Sequence, residues 1–324
     1  MSTFLWILAA LLLAAHLYRT YWAHRSLPAV GSQPFDGELL RVGETYIARR
    51  AARNGSTKTV ICFPGFLEDM RYFTALYENA DCELILVNNA NYHCPFDAQD
   101  AQRLEWPENP FAVGTIEHDG YYLAQVIREL ASGPDIILHG HSRGGAVVLE
   151  AGRQFPKLMK QGDPAISAIL EAPVLPQGRM VGNGSDSLPH YLIRYFLPVV
   201  LGLSRNSGPA QLRKQPMMQP SNPLKEQICQ TIYTNARSYA TCVENVKSIR
   251  RWQLQHGFDL YRNFERITVV MGERDDVLDN ASMLVSASVA QESYPGVSVL
   301  HTENTNHFPS LEQPHYLREL AGVA

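Results

Sequence analysis

The chain has few cysteines and spaces none of them for a metal or a disulfide framework. Cys62, Cys82, Cys94, Cys229 and Cys242 are scattered without a CxxC pair, which excludes the compact zinc and redox motifs built on that spacing. The odd count reads as free thiols, with Cys229 and Cys242 the one pair left open to a bridge. Also lacking is a surplus of positive charge: 28 Lys and Arg stand against 32 Asp and Glu, a formal charge of −4. With no clustered basic face to track a phosphate backbone, nucleic acid is not an expected partner. Repeats and low-complexity tracts are missing too. What remains, 45% hydrophobic and 19% charged residues over 324 positions, suits one large core plus an accessory domain.

The N-terminus departs from this ordinary balance. Residues 4–18, FLWILAALLLAAHLY, carry one histidine and no formal charge. As a helix this run is about 22 Å long, and extension through Tyr21 and Trp22 adds interfacial aromatics that let it cross a bilayer. No basic residue precedes it, as a cleavable signal would require; Arg19 and Arg25 follow it instead. Residues 1–25 are therefore expected to be an uncleaved, single-pass membrane anchor rather than a signal peptide. The positive residues place the downstream domain on the cytoplasmic side, with an extracytoplasmic placement left open. Residues 26–37, with prolines at 28 and 34 and glycines at 31 and 37, read as a linker.

From residue 38 onward, short β-rich runs at 38–42, 44–49, 58–63, 83–87, 135–138, 165–170, 267–271 and 297–300 alternate with helical patterns such as 115–130. Strands alternating with helices predict a mostly parallel central sheet flanked by helices, an α/β fold. The interval 172–265 is too long for a crossover and is expected to be a helical cap inserted into a core made of 38–171 and 266–324. Within it, 190–204 is an apolar stretch broken by Pro198, and 224–254 is a longer amphipathic segment.

Four stretches lie where one kind of chemistry needs them. Gly140-His141-Ser142-Arg143-Gly144 follows a strand and opens a helix; glycines on both sides of the serine permit a sharp strand-to-helix turn that lifts Oγ into the open. Phe63-Pro64-Gly65-Phe66 ends another strand, where the Phe66 N–H can pair with the Arg143 N–H around a developing oxyanion. Gly272-Glu273-Arg274-Asp275-Asp276 follows a third strand; Asp275 is the expected acid and Asp276 its nearest competitor. Asn306-His307-Phe308-Pro309 supplies a histidine just before a helix, able to act as base and then acid.

The order serine, acid, histidine along the chain, together with GHSRGG and NHFPSLEQP, resembles the α/β-hydrolase fold family, specifically its capped esterase, lipase and lysophospholipase branch. The resemblance covers residues 38–324. It implies Ser142 as nucleophile, His307 as general base, Asp275 as the orienting acid and Phe66 with Arg143 as the oxyanion hole, with no metal or organic cofactor. Pro64-Gly65 departs from the His-Gly common in the family, so the oxyanion loop must be fixed by other hydrogen bonds. With the apolar N-terminus, the expected activity is hydrolysis of carboxylic esters, with a lipid such as a lysophospholipid, phospholipid or monoacylglycerol as substrate and the membrane as partner. A thioesterase or acyltransferase on the same triad, and a catalytically silent binding protein, stay open as alternatives.

Other residues receive plainer readings. His139, His141 and His301 are expected to be structural, since the first two lack a third metal ligand at usable spacing. The Arg143 side chain is expected in solvent or on a carboxylate. Lys247, Arg250, Arg251 and Trp252 form a basic and aromatic group read as a solvated helix face, and the long loop 91–111 is expected to line the site.

Overall fold

The computed structural model describes residues 2–29, 31–160, 165–181 and 188–323. Positions 182–187, inside the expected cap, and Met1 of the expected anchor lie outside the described residues. Among the described residues nine strands form one sheet: β1 (Glu38–Val42), β2 (Thr45–Arg50), β3 (Lys58–Phe63), β4 (Glu83–Val87), β5 (Gln102–Arg103), β6 (Asp135–His141), β7 (Ser167–Glu171), β8 (Arg266–Gly272) and β9 (Val297–Thr302). Their order is β5-β1-β2-β4-β3-β6-β7-β8-β9. β2 pairs antiparallel with both β1 and β4, and every pair from β4 through β9 is parallel.

The central strands read as unbroken apolar runs because both faces are covered. In β3, Ile61 and Phe63 enter the core beneath the helices Ile116–Glu129 and Arg143–Gln154, while Val60 and Cys62 enter a second core with Phe73 and Tyr77 of the helix Arg71–Tyr77. Alternation along the strand thus serves two layers at once. The helix Ile116–Glu129 begins where Thr115 Oγ1 accepts the His118 N–H at 3.1 Å, a side-chain N-cap. All five cysteines are free, including Cys229 and Cys242.

Between β7 and β8 the described residues form five α-helices and two 3-10 turns, the α-helices including Leu188–Tyr195, Leu197–Ser204, Pro223–Cys229 and Tyr239–Gln255. The last buries Cys242, Asn245, Ile249 and Trp252, a three-and-four spacing that turns one stripe inward. Trp252 Nε1 donates to Glu150 Oε2 at 3.1 Å, and Ser248 Oγ accepts the Ile116 N–H at 2.8 Å. This helix is therefore seated on the core; Trp252 does not belong to the solvated basic face expected from sequence.

The N-terminal helix Ser2–His24 is long and apolar enough to cross a membrane, with its first turns uncovered and Trp22 and Ala23 buried. Trp22 packs on Gly202, where even a Cβ would come within 2.3 Å of the indole. The following segment is pinned rather than loose: Leu27 is buried and its N–H donates to Arg237 O at 2.9 Å, and the Phe35 ring lies 4.7 Å from that of Phe96.

Candidate active site

Ser142 follows β6 directly and has φ 52°, ψ −116°, a backbone region that costs a non-glycine residue about 1–3 kcal/mol. Surrounding hydrogen bonds hold it there. Its N–H donates to Glu171 O at 2.8 Å, and its carbonyl accepts from Gly145 N at 3.0 Å and Val174 N at 2.8 Å. The two glycines of the turn are steric necessities, since a Cβ at Gly140 would lie 2.4 Å from Gly144 O and one at Gly144 would lie 2.0 Å from Phe63 O.

The structure brings Ser142, His307 and Asp275 together. His307 Nε2 lies 3.0 Å from Ser142 Oγ, and Nδ1 lies 2.8 Å from Asp275 Oδ2. With the Nδ1 proton donated to the carboxylate, Nε2 is left to accept from the serine hydroxyl. Asp275 Oδ1 accepts the N–H groups of Val277 at 2.8 Å and Leu278 at 2.7 Å. Burial alone would push this carboxyl up, but His307 and the two amides outweigh it and hold Asp275 below its ordinary value. Asp276 has a different neighbour. Its Oδ2 accepts from Asn306 Nδ2 at 2.6 Å, and Asn306 Oδ1 accepts the His307 N–H at 2.8 Å.

Among the described residues, the N–H groups of Phe66 and Arg143 have no hydrogen-bond acceptor, as two oxyanion donors would require. The Arg143 side chain is fully buried, with Nη1 2.7 Å from both Asp119 Oδ2 and Asn89 Oδ1. Of the two destinations expected for it, a carboxylate is the one found. Asp119 would be raised by burial, but Arg143 and His118 hold it down.

Residues with no expected role fix the loop 63–68, where the oxyanion donor Phe66 is expected. Glu68 Oε2 accepts the Gly65 N–H at 2.7 Å, and Asn89 Nδ2 donates to Gly65 O at 2.9 Å. These bonds serve where Pro64 offers neither a side-chain nor a backbone donor. The same Glu68 oxygen lies 2.7 Å from His141 Nδ1, and His141 Nε2 lies 2.7 Å from the His307 carbonyl. Both ring nitrogens face acceptors, so both carry protons. Burial opposes that charge, but Glu68 overcomes it and raises His141 to about 9. On the other side, buried Glu171 accepts from Tyr72 Oη at 2.7 Å and from the backbone and hydroxyl of Ser310, three residues past His307. Burial would raise Glu171, but hydrogen bonding to His139 and the charges of His141 and His139 bring it down to about 2. Each of Glu68 and Glu171 ends a buried apolar run, but the histidine it meets is distant in the chain, so its position alone does not mark it.

Glu68, His141 and His307 also offer ligand atoms within 4.8 Å of one another. Each is already committed, to Gly65, to the His307 carbonyl or to Ser142, so the set is a hydrogen-bonded chain rather than a vacant coordination shell. Because the folded value of His141 stands above its ordinary 6.5, its ion pair with Glu68 stabilises the fold fully below that pH and loses this as pH rises through about 9. Unfolding free energy is expected to drop by on the order of 3 kcal/mol between pH 6 and 10. Glu68→Gln should remove that slope in a denaturation series; a wild-type stability flat to pH 10 would mean a neutral His141.

Ser142 and His307 open into an apolar cavity of about 240 Å³. Phe66, Leu278 and Ile249 line one part of it, Met217, Ile232 and Tyr233 from the insert another. The loop 91–111, expected at the site, does not line it. Tyr92 instead braces the loop 63–68 from behind: its Oη accepts the Leu67 N–H at 3.2 Å and donates to Asn245 Oδ1 at 3.0 Å.

Residues 60–320 match the sequence model described as the Alpha/beta hydrolase family. Comparison with curated proteins gave no match by sequence. Among solved structures, a thermophilic esterase from Thermogutta terrifontis superposes with TM-score 0.59 at 16% identity, over 88% of this chain and 96% of its own. An esterase from Exiguobacterium antarcticum gives 0.55 at 13%, over 88% and 99%. A bromoperoxidase from Bacillus anthracis gives 0.59 at 12%, over 85% and 93%. At such identities the likeness is one of fold, and the differing activities of these neighbours leave the chemistry to be argued from the site.

Proposed function

This chain belongs to the alpha/beta hydrolase family, and from that premise we propose that it is a serine hydrolase cleaving carboxylic esters through an acyl-enzyme. The observation that carries this reading is the relay of Ser142, His307 and Asp275 at 3.0 and 2.8 Å, opening on an apolar cavity. Ser142 Oγ attacks the ester carbonyl while His307 Nε2 takes its proton. Asp275 stabilises the imidazolium that results, and the N–H groups of Phe66 and Arg143 receive the oxyanion. Collapse returns the proton to the leaving alcohol. Water then repeats the sequence on the acyl-enzyme and frees the acid.

The helix Ser2–His24 acts in this reading as a single-pass anchor, with Arg19 and Arg25 favouring the cytoplasmic side. Substrates then come from the bilayer. A cavity of about 240 Å³ is below the range that encloses a drug-sized ligand, which favours esters bearing one acyl chain, such as a monoacylglycerol or lysophospholipid, over two-chain phospholipids.

A fluorophosphonate probe is expected to label the wild type, and absence of labelling would sink the enzyme reading. With p-nitrophenyl esters of graded length, kcat/KM should climb by roughly fourfold per methylene, the equivalent of about 0.8 kcal/mol of burial. The climb should stop once the cavity is full. Turnover of acyl thioesters with little turnover of the matching esters would transfer the assignment to a thioesterase.

A further inference from the structure

A second cavity, of about 720 Å³, lies where the N-terminal helix meets the insert. Five cations from three helices converge on it: Arg19 from Ser2–His24, Arg194 from Leu188–Tyr195, and Lys247, Arg250 and Arg251 from Tyr239–Gln255. No aspartate or glutamate is among its lining residues. Arg251 reaches Glu117 at 3.2 Å and Glu244 at 4.0 Å, and the Arg19 guanidinium lies 4.7 Å from the centre of the Tyr195 ring while its Nε donates to Tyr195 O at 3.0 Å. Among the described residues, Lys247 and Arg250 have no acidic partner. The like charges of Arg19, Lys247 and Arg250 repel one another, and an anion in the groove would relieve this.

The groove's height along the N-terminal helix identifies the anion's source. His16 and Arg19 contact Tyr195, while Trp22 packs on Gly202, so the helices 188–204 run in the same direction as the N-terminal one. Exposed Tyr191, Leu192 and Ile193 therefore lie on the side of the groove nearer the uncovered apolar turns. The sequence along the axis is apolar helix, then an aromatic and aliphatic patch, then cations. A bilayer has the same order of acyl chains, interface and head groups.

We infer that this groove seats the phosphate head group of an anionic phospholipid from the leaflet in which the N-terminal helix ends. The inference rests on the anchored reading of that helix. One helix separates this seat from the site: Tyr239–Gln255 turns Lys247 and Arg250 to the groove and Ile249 to the Ser142 cavity. A bound head group is thus about one helix diameter, ~10 Å, from the substrate cavity.

The test uses the full chain, reconstituted in vesicles of phosphatidylcholine alone or mixed with phosphatidylglycerol. Integration is read by flotation after alkaline wash, and retained lipid is read by mass spectrometry of the detergent-extracted protein. Wild type is expected to integrate into both vesicles and to retain phosphatidylglycerol in preference. Lys247→Gln with Arg250→Gln should cut that preference about tenfold while leaving integration and hydrolysis of p-nitrophenyl butyrate unchanged. Equal retention of the two lipids by wild type, or a preference untouched in the double variant, overturns the seat. Release of the retained lipid by inorganic phosphate would assign the groove to a soluble anion and overturn it as well. Failure to integrate into phosphatidylcholine sinks the anchor instead; the seat survives that result only if phosphatidylglycerol retention still depends on Lys247 and Arg250.

Discussion

Ser142→Ala is expected to lower kcat for p-nitrophenyl esters by about 10⁵-fold and to abolish fluorophosphonate labelling, with the fold intact. Only Oγ is removed. The hydrogen bonds that hold position 142 in its turn, to Glu171 O and from Gly145 N and Val174 N, all belong to the backbone, so the strained conformation has the same support in the variant. Thermal unfolding should accordingly shift little, and the loss of activity can be assigned to chemistry. Because Oγ and His307 Nε2 lie 3.0 Å apart and share one proton in the proposed mechanism, His307→Ala should be nearly as inactive. The double variant should be scarcely worse than either alone, since groups acting as a unit are not additive. Retention of a tenth of the activity in Ser142→Ala, or undiminished labelling, would displace Ser142 as nucleophile.

Asp275→Asn and Asp276→Asn, compared side by side, should differ by orders of magnitude. In Asp275→Asn the amide oxygen remains the natural acceptor for the Val277 and Leu278 N–H groups, which turns the new NH₂ toward His307 Nδ1. Two donors cannot face each other, so the imidazole moves its proton to Nε2 and loses the lone pair that receives the serine proton. A loss of about 10⁴-fold in kcat is expected. Asp276→Asn disturbs a hydrogen bond to Asn306, one residue removed from the imidazole, and should cost less than about tenfold. Near-full activity in both variants would sink both assignments, and a greater loss at 276 would exchange them.

How much of this was legible from residue order depends on how far apart the interacting groups lie. The parallel strands were, because burial on both faces leaves apolar runs such as Glu83–Val87 with boundaries that hold in the structure. β5 was not: two exposed residues, Gln102 and Arg103, carry no period of their own and are ordered by pairing with Leu40 and Arg41. The segment read as one amphipathic stretch at 224–254 is two helices, Pro223–Cys229 and Tyr239–Gln255. Apolar spacing continues through the break, but Asn235 Nδ2 donates to Leu67 O at 2.8 Å and ties the turn to the loop 63–68. At the site, the turn around Ser142 and the chain order of acid and histidine announce themselves locally. Glu68 and Glu171 do not, since each meets in the interior a histidine reached only through the fold, His141 for one and His139 for the other.

The way the first helix joins the rest has a mechanical consequence. A chain that passed from helix to body through an unattached linker would tumble, and its cavity mouth would sweep all angles to the bilayer. Here Trp22 is wedged against Gly202, Leu27 is bonded to Arg237 and Phe35 lies on Phe96, so among the described residues the helix and the stretch after it are held to the body at three points. With the helix in a bilayer, the molecule behaves as a bracket rather than a leash. On the anchored reading the height and tilt of the entrance above Ser142 would follow those of the helix, and a substrate diffusing in the plane of the membrane would meet it in one orientation.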